Sequence, residues 1–82
     1  MNFSTMENEN PYEGLYRVTV SAANIRKEPG IGKRNEVIGT VMRGTKFELT
    51  GEYETSGKDK WFKIDYKGET GYILESLIEK LD

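Results

Sequence analysis

Trp61 and Tyr72 are the residues of this sequence best suited to chemistry, and that chemistry is recognition. Each falls in a short run that alternates as a strand does, on the face opposite its apolar partners. The pair is therefore predicted on the outer faces of two adjacent strands. Aromatic rings there offer rigid contact area at small entropic cost. Tyr16 and Tyr53, with Tyr12 and Tyr66, extend the aromatic surface, and Asn24, Arg26 and Glu28 border it with polar groups. The candidate ligand-binding residues are thus Trp61, Tyr72, Tyr16, Tyr53, Asn24, Arg26 and Glu28. The same residues admit another reading, in which Trp61 shields a strand pair and the tyrosines are scattered. Arg26 likewise admits a structural role beside Glu28 or Glu75.

Catalytic chemistry finds little support. The 82 residues include no cysteine and no histidine. Disulfides, thiolate nucleophiles and cysteine zinc sites are excluded, and the commonest general base is missing. The serines have no histidine partner. Asp59, Asp65 and Glu69 fall near expected loops, with nothing to hold two of them across a cleft. The glycines form no phosphate-cradling run, and the acids show no EF-hand spacing. The expectation is a protein that is not an enzyme and uses no metal or cofactor.

The formal net charge is −2, unevenly spread. Glu7, Glu9 and Glu13 lie in an N-terminal stretch without a basic residue, whereas Tyr16 to Ile78 holds 11 basic and 9 acidic residues. That balance lacks the dense basic stripe of a nucleic-acid binder. Residues 1–14 read as a flexible acidic tail or linker, because they carry too little apolar surface to offset their ordering entropy. Residues 15–82 read as one small domain. No apolar run approaches the roughly 20 residues that span a bilayer, so membrane insertion is not expected. The first 16 residues show no basic-then-apolar signal pattern, and a cysteine-free chain suits several compartments.

The elements that must position the aromatic residues are short strands with glycine at most corners. Leu15 to Val20, Asn24 to Glu28, Glu36 to Val41, Lys46 to Thr50, Lys60 to Asp65 and Thr70 to Ile73 each fit one. Ser21 to Asn24 reads as a turn, Glu54 to Asp59 as a hairpin loop, and Leu74 to Leu77 as one helical turn. Gly68 falls where a tight connection calls for positive φ, and Gly71 lies inside a strand, where close approach of a neighbour is expected. The predicted core is Val18, Val20, Ile25, Val37, Val41, Phe47, Leu49, Phe62, Ile64, Ile73, Leu77 and Ile78. Five to six short strands of this kind close most readily into a small twisted all-β barrel.

Four segments in this order resemble the bacterial SH3-like domain, or SH3b. They are Ala23-Asn24-Ile25-Arg26 with Glu28-Pro29-Gly30, then Val37 to Val41 with Arg43-Gly44-Thr45, then Trp61-Phe62-Lys63-Ile64, and finally Gly68 to Ile73. Glu75-Ser76-Leu77-Ile78 resembles the family's closing helical turn and strand. The resemblance spans about Tyr16 to Leu81, with alanine at 23 where the family often has leucine and tyrosine at 72 where it often has tryptophan. It implies an SH3-like barrel with a short helical turn near the C-terminus. It also implies a non-catalytic module that holds a hydrolase on peptidoglycan, as in autolysins and phage endolysins. The implied partner is a peptide stem or cross-bridge, with a catalytic domain on the same or another chain. The implied location is the cell wall or the extracellular space. The alternative is a protein–protein interaction module that binds a peptide or partner domain, since one fold hosts many functions.

Overall fold

The computed structural model describes residues 10–32 and 34–81. Residues 1–9 of the expected tail lie outside them. Eight strands are present: β1 Gly14–Val18, β2 Ala22–Arg26, β3 Val37–Met42, β4 Lys46–Leu49, β5 Tyr53–Ser56, β6 Asp59–Tyr66, β7 Glu69–Leu74 and β8 Ile78–Lys80. One turn of 3-10 helix, Glu75–Leu77, joins β7 to β8 where the helical turn was expected. All the ladders are antiparallel.

The strands divide into a three-stranded sheet, β4-β1-β8, and a five-stranded sheet, β3-β2-β7-β6-β5. The fold is all-β as expected, in two sheets over a shared core, and neither sheet is closed on itself. β1 is shorter than predicted because the chain changes partners at its end. Val18 N–H donates to Thr45 O at 2.9 Å, and Thr19 N–H donates to Leu77 O at 3.0 Å. Two strands add to the predicted count. Tyr53–Ser56 pairs with β6 through a two-residue turn at Gly57-Lys58, and Ile78–Lys80 pairs with β1.

Alternation along each strand builds the core. Tyr16, Val18, Leu49 and Ile78 from one sheet meet Ala23, Ile25, Val41, Phe62, Ile64 and Ile73 from the other. Burying each large apolar side chain is worth about 1.5–3 kcal/mol. Val20, Phe47 and Leu77, predicted as core, are half-buried against this cluster. Ala23 belongs to β2 rather than to a turn.

Val37, also predicted as core, is 41% exposed. The cause is a bulge. Ile25 pairs with Gly39, but Arg26 pairs with Val37, so Ile38 is the extra residue. A bulge reverses which side chains face inward beyond it. Ile38 therefore packs on the core, and Val37 shares the outer face with Arg26.

The ordered body begins before β1. Asn10 Oδ1 accepts from Tyr12 N–H and Asn10 O accepts from Glu13 N–H, both at 2.9 Å. That is a turn capped by its own asparagine, with Pro11 fixing the bend. Asn10 to Glu13, read from sequence as part of the tail, therefore fold onto the sheets. Tyr16 carries its hydroxyl through the core rim to Tyr12 O at 2.7 Å. Tyr16→Phe is expected to lower stability by about 1 kcal/mol, the usual net worth of one such bond. A urea midpoint unchanged from the parent would show that the bond carries nothing.

Candidate functional site

The register of the five-stranded sheet places three long side chains in one row. Lys63 of β6 and Arg26 of β2 both lie opposite Tyr72 of β7. Residues directly opposite in a ladder share a face, so the row is Lys63–Tyr72–Arg26 across three strands. β5 and the residue before it add carboxylates at the Lys63 end. Tyr72 O–H donates to Glu54 Oε2 at 3.1 Å, and Lys63 Nζ lies 3.2 Å from Glu52 Oε1.

Lys63, Tyr72, Glu52 and Glu54 line a groove of about 370 Å³ with Asn10, Gly51 and Tyr53; Arg26, at the far end of the row, does not reach it. Tyr53 is 42% exposed and turns a ring edge to Phe62, their centroids 6.1 Å apart. The groove thus joins aromatic surface to two carboxylates and one ammonium. Burial, reinforced by the hydrogen-bonded Glu54 carboxylate, pushes the Tyr72 phenol above its ordinary value of 10.0. Its hydroxyl stays protonated and remains a donor at neutral pH. The hydrogen bond and charge of Glu52 raise the Lys63 pKa, so that ammonium stays charged.

The back of the groove's aromatic wall is held by a second cation. Lys60 Nζ stands 4.2 Å from the Tyr12 ring centroid and 4.7 Å from that of Tyr53. It also donates to the Tyr12 hydroxyl at 2.8 Å, and that bond is the main reason its pKa is raised. Cation–π contacts of this kind are worth about 0.5–1 kcal/mol at exposed sites.

Of the seven candidates, the groove gathers Tyr53 and Tyr72. Trp61 does not line it. It lies on the face opposite Phe62 and Ile64, as predicted, yet is only 2% exposed. Strand parity fixes the side of the sheet, not whether that side meets water. The loop after β2 approaches the tip of the β5–β6 hairpin, where the Ser56 hydroxyl oxygen lies 2.9 Å from the place a Gly30 Cβ would take. Trp61 sits in that hairpin opposite Glu54, and its Nε1 is a buried donor without a hydrogen-bond partner among the described residues.

Tyr16 is a core residue, 4% exposed, not a surface platform. Arg26 and Glu28 serve the loop between β2 and β3. Arg26 Nη1 donates to Asn35 O at 3.2 Å, and Asn35 brackets Glu28 by accepting from its N–H and donating to its carbonyl. Asn24 is exposed and accepts from the Thr40 hydroxyl at 3.0 Å. None of these four lines the groove.

Glu52, Glu54 and Lys63 escaped the sequence reading, although a signal existed. A two-residue turn at Gly57-Lys58 fixes a register in which Glu54 opposes Trp61. Reading Glu54 to Asp59 as a loop discarded it.

Residues 21–79 match the family described as bacterial SH3 domain, and the chain belongs to that family. Domains of this family are generally non-catalytic and often associated with the cell wall. The sequence has neither cysteine nor histidine, and among the described residues no group of acidic side chains is placed to hold a metal ion. A search of curated proteins finds no match to the chain.

Proposed function

We propose that the domain binds the peptide part of bacterial peptidoglycan, a stem or cross-bridge, and so holds a hydrolase on its substrate. The observation that carries this reading is the convergence of Tyr53, Tyr72, Glu52, Glu54 and Lys63 on one groove. Wall peptides offer ammonium, carboxylate and amide groups on a short flexible chain. Glu54 suits an ammonium, Lys63 suits a carboxylate, and the two rings suit the apolar stem. Tethering of this kind raises the local concentration of a linked enzyme without new catalytic contacts. The location that follows is the cell wall, as part of an exported or phage lytic protein.

The test is retention on purified peptidoglycan from several Gram-positive wall types, before and after wall teichoic acids are stripped. Retention that survives stripping supports peptide recognition. Glu54→Gln keeps the shape and an acceptor for Tyr72 but removes the charge. It is expected to weaken binding about tenfold, the scale of one charge-assisted hydrogen bond. Absence of retention on every wall, with the fold intact, would refute the reading.

One observation favours a protein partner instead. Val37 and Met42 are exposed on β3, an edge strand of the five-stranded sheet. Such an edge accepts an added strand from a peptide. Binding of a peptide without affinity for any wall would select this second reading.

A further inference from the structure

The groove has a wall that the family segment does not supply. Glu52, Tyr53, Glu54, Lys63, Tyr72 and Gly51 all lie within residues 21–79, whereas Asn10 lies eleven positions before that segment begins. We propose that Asn10 is a specificity-determining residue of the groove, donating its side-chain amide N–H to an oxygen of the bound peptide, and that Asn10 to Tyr12 form a clasp that positions it. This inference rests on the peptide-binding reading above.

Three features hold the clasp. The asparagine-capped turn fixes Asn10 relative to Tyr12. Tyr12 then packs edge-on against Tyr53 at 5.3 Å and tilted against Phe62 at 5.6 Å. Lys60 and Tyr16 bind its hydroxyl and carbonyl oxygens respectively. An aromatic side chain locked on both sides leaves the residues before it little freedom, so Asn10 is preorganised.

Gly51 provides the matching surface. A Cβ there would stand 2.7 Å from Asn10 Cγ and Nδ2, and the backbone has φ +91°. The Asn10 amide therefore lies directly on a residue without a side chain. Its orientation is set by chemistry: Oδ1 accepts the Tyr12 N–H, so the other end of the amide is the donor Nδ2. The groove's remaining side chains supply two carboxylates and two phenol oxygens, with Lys63, 3.2 Å from Glu52, as their cation. An amide donor at its rim complements a carbonyl or carboxylate oxygen of the ligand.

The test is an amide-resolved NMR titration of the full chain with a soluble disaccharide–peptide fragment released from purified peptidoglycan. Asn10→Asp keeps the turn acceptor and the shape but replaces the donor with a carboxylate oxygen. It is expected to weaken binding about tenfold, and Asn10→Ala about fivefold, with the melting temperature of the Asp variant unchanged. In the parent, shifts at Asn10 and Tyr12 should accompany those at Glu54, Lys63 and Tyr72. Shifts at the latter three with undiminished affinity in Asn10→Asp would overturn the clasp and leave peptide binding standing. No shift anywhere in the parent would overturn both.

Discussion

Trp61→Ala is expected to destabilise the domain by about 3–5 kcal/mol, the range for deleting a buried large aromatic side chain. Small domains are stable by only about 5–15 kcal/mol, so the variant should be substantially unfolded by modest urea. The physical reason is position. Trp61 faces away from the cluster around Phe62 but is buried, opposite Glu54 and Leu74, between two strands of the larger sheet. Trp61→Phe separates the two contributions of the side chain. It keeps most of the packing and removes the buried Nε1 donor, which has no partner among the described residues and whose desolvation costs about 1–3 kcal/mol. The phenylalanine variant should therefore lose far less than the alanine variant. Urea unfolding followed by far-ultraviolet circular dichroism measures both. A stable alanine variant that fails to bind peptidoglycan would instead make Trp61 a ligand platform.

Gly71→Ala is the second large effect, expected at about 2–3 kcal/mol, the upper part of the range for overpacking a tight core. A Cβ at Gly71 would stand 2.6 Å from Ile25 Cγ2, 2.9 Å from Ile38 Cδ1 and 3.3 Å from the Arg26 carbonyl oxygen. Ile25 is fully buried and the carbonyl belongs to the backbone, so neither yields easily. Gly39 is the useful contrast. Its nearest neighbours are the far end of the Tyr66 ring, which is half-buried and belongs to a side chain, not to the backbone. Gly39→Ala should therefore cost less. Adding Ile38→Val to Gly71→Ala deletes one of the clashing atoms and should recover part of the loss. Equal destabilisation by the two glycine substitutions, with no recovery in the double variant, would contradict this account.

Alternation was enough to find most of what the sheets bury. Phe62 and Ile64, Phe47 and Leu49, and Val18 stand on the sides that period-two patterning assigns to them. Gly68 has the positive φ expected of its turn, and Gly71 the close neighbours expected of a glycine within a strand. The misreadings share a cause: each depends on events beyond one strand. Val37 was misplaced because a bulge is a property of a strand pair, invisible in either strand alone. Trp61 was misread because parity along one strand gives the side of the sheet and not whether the rest of the fold covers that side. Tyr16 looked like surface because tyrosine is amphipathic, and its partner Tyr12 sat in a segment too polar to count as folded. The groove was half legible for the same reason. Its rings were visible as aromatic residues, but Glu52, Glu54 and Lys63 become neighbours only through the exact length of one turn.

The pairing of β1 with β8 has a mechanical consequence. Tyr16 lies opposite Lys80, and Leu81 N–H donates to Leu15 O at 2.8 Å, so the points where the chain enters and leaves the sheets are side by side. Cα atoms paired across antiparallel strands are only about 4.5–5.5 Å apart. The first and last strands of the body therefore close against each other, and the Asn10–Glu13 turn carries the chain from there to Gly51. A load drawn between Gly14 and Lys80 would open the β1–β8 ladder one rung at a time, as a zip opens, instead of shearing it all at once.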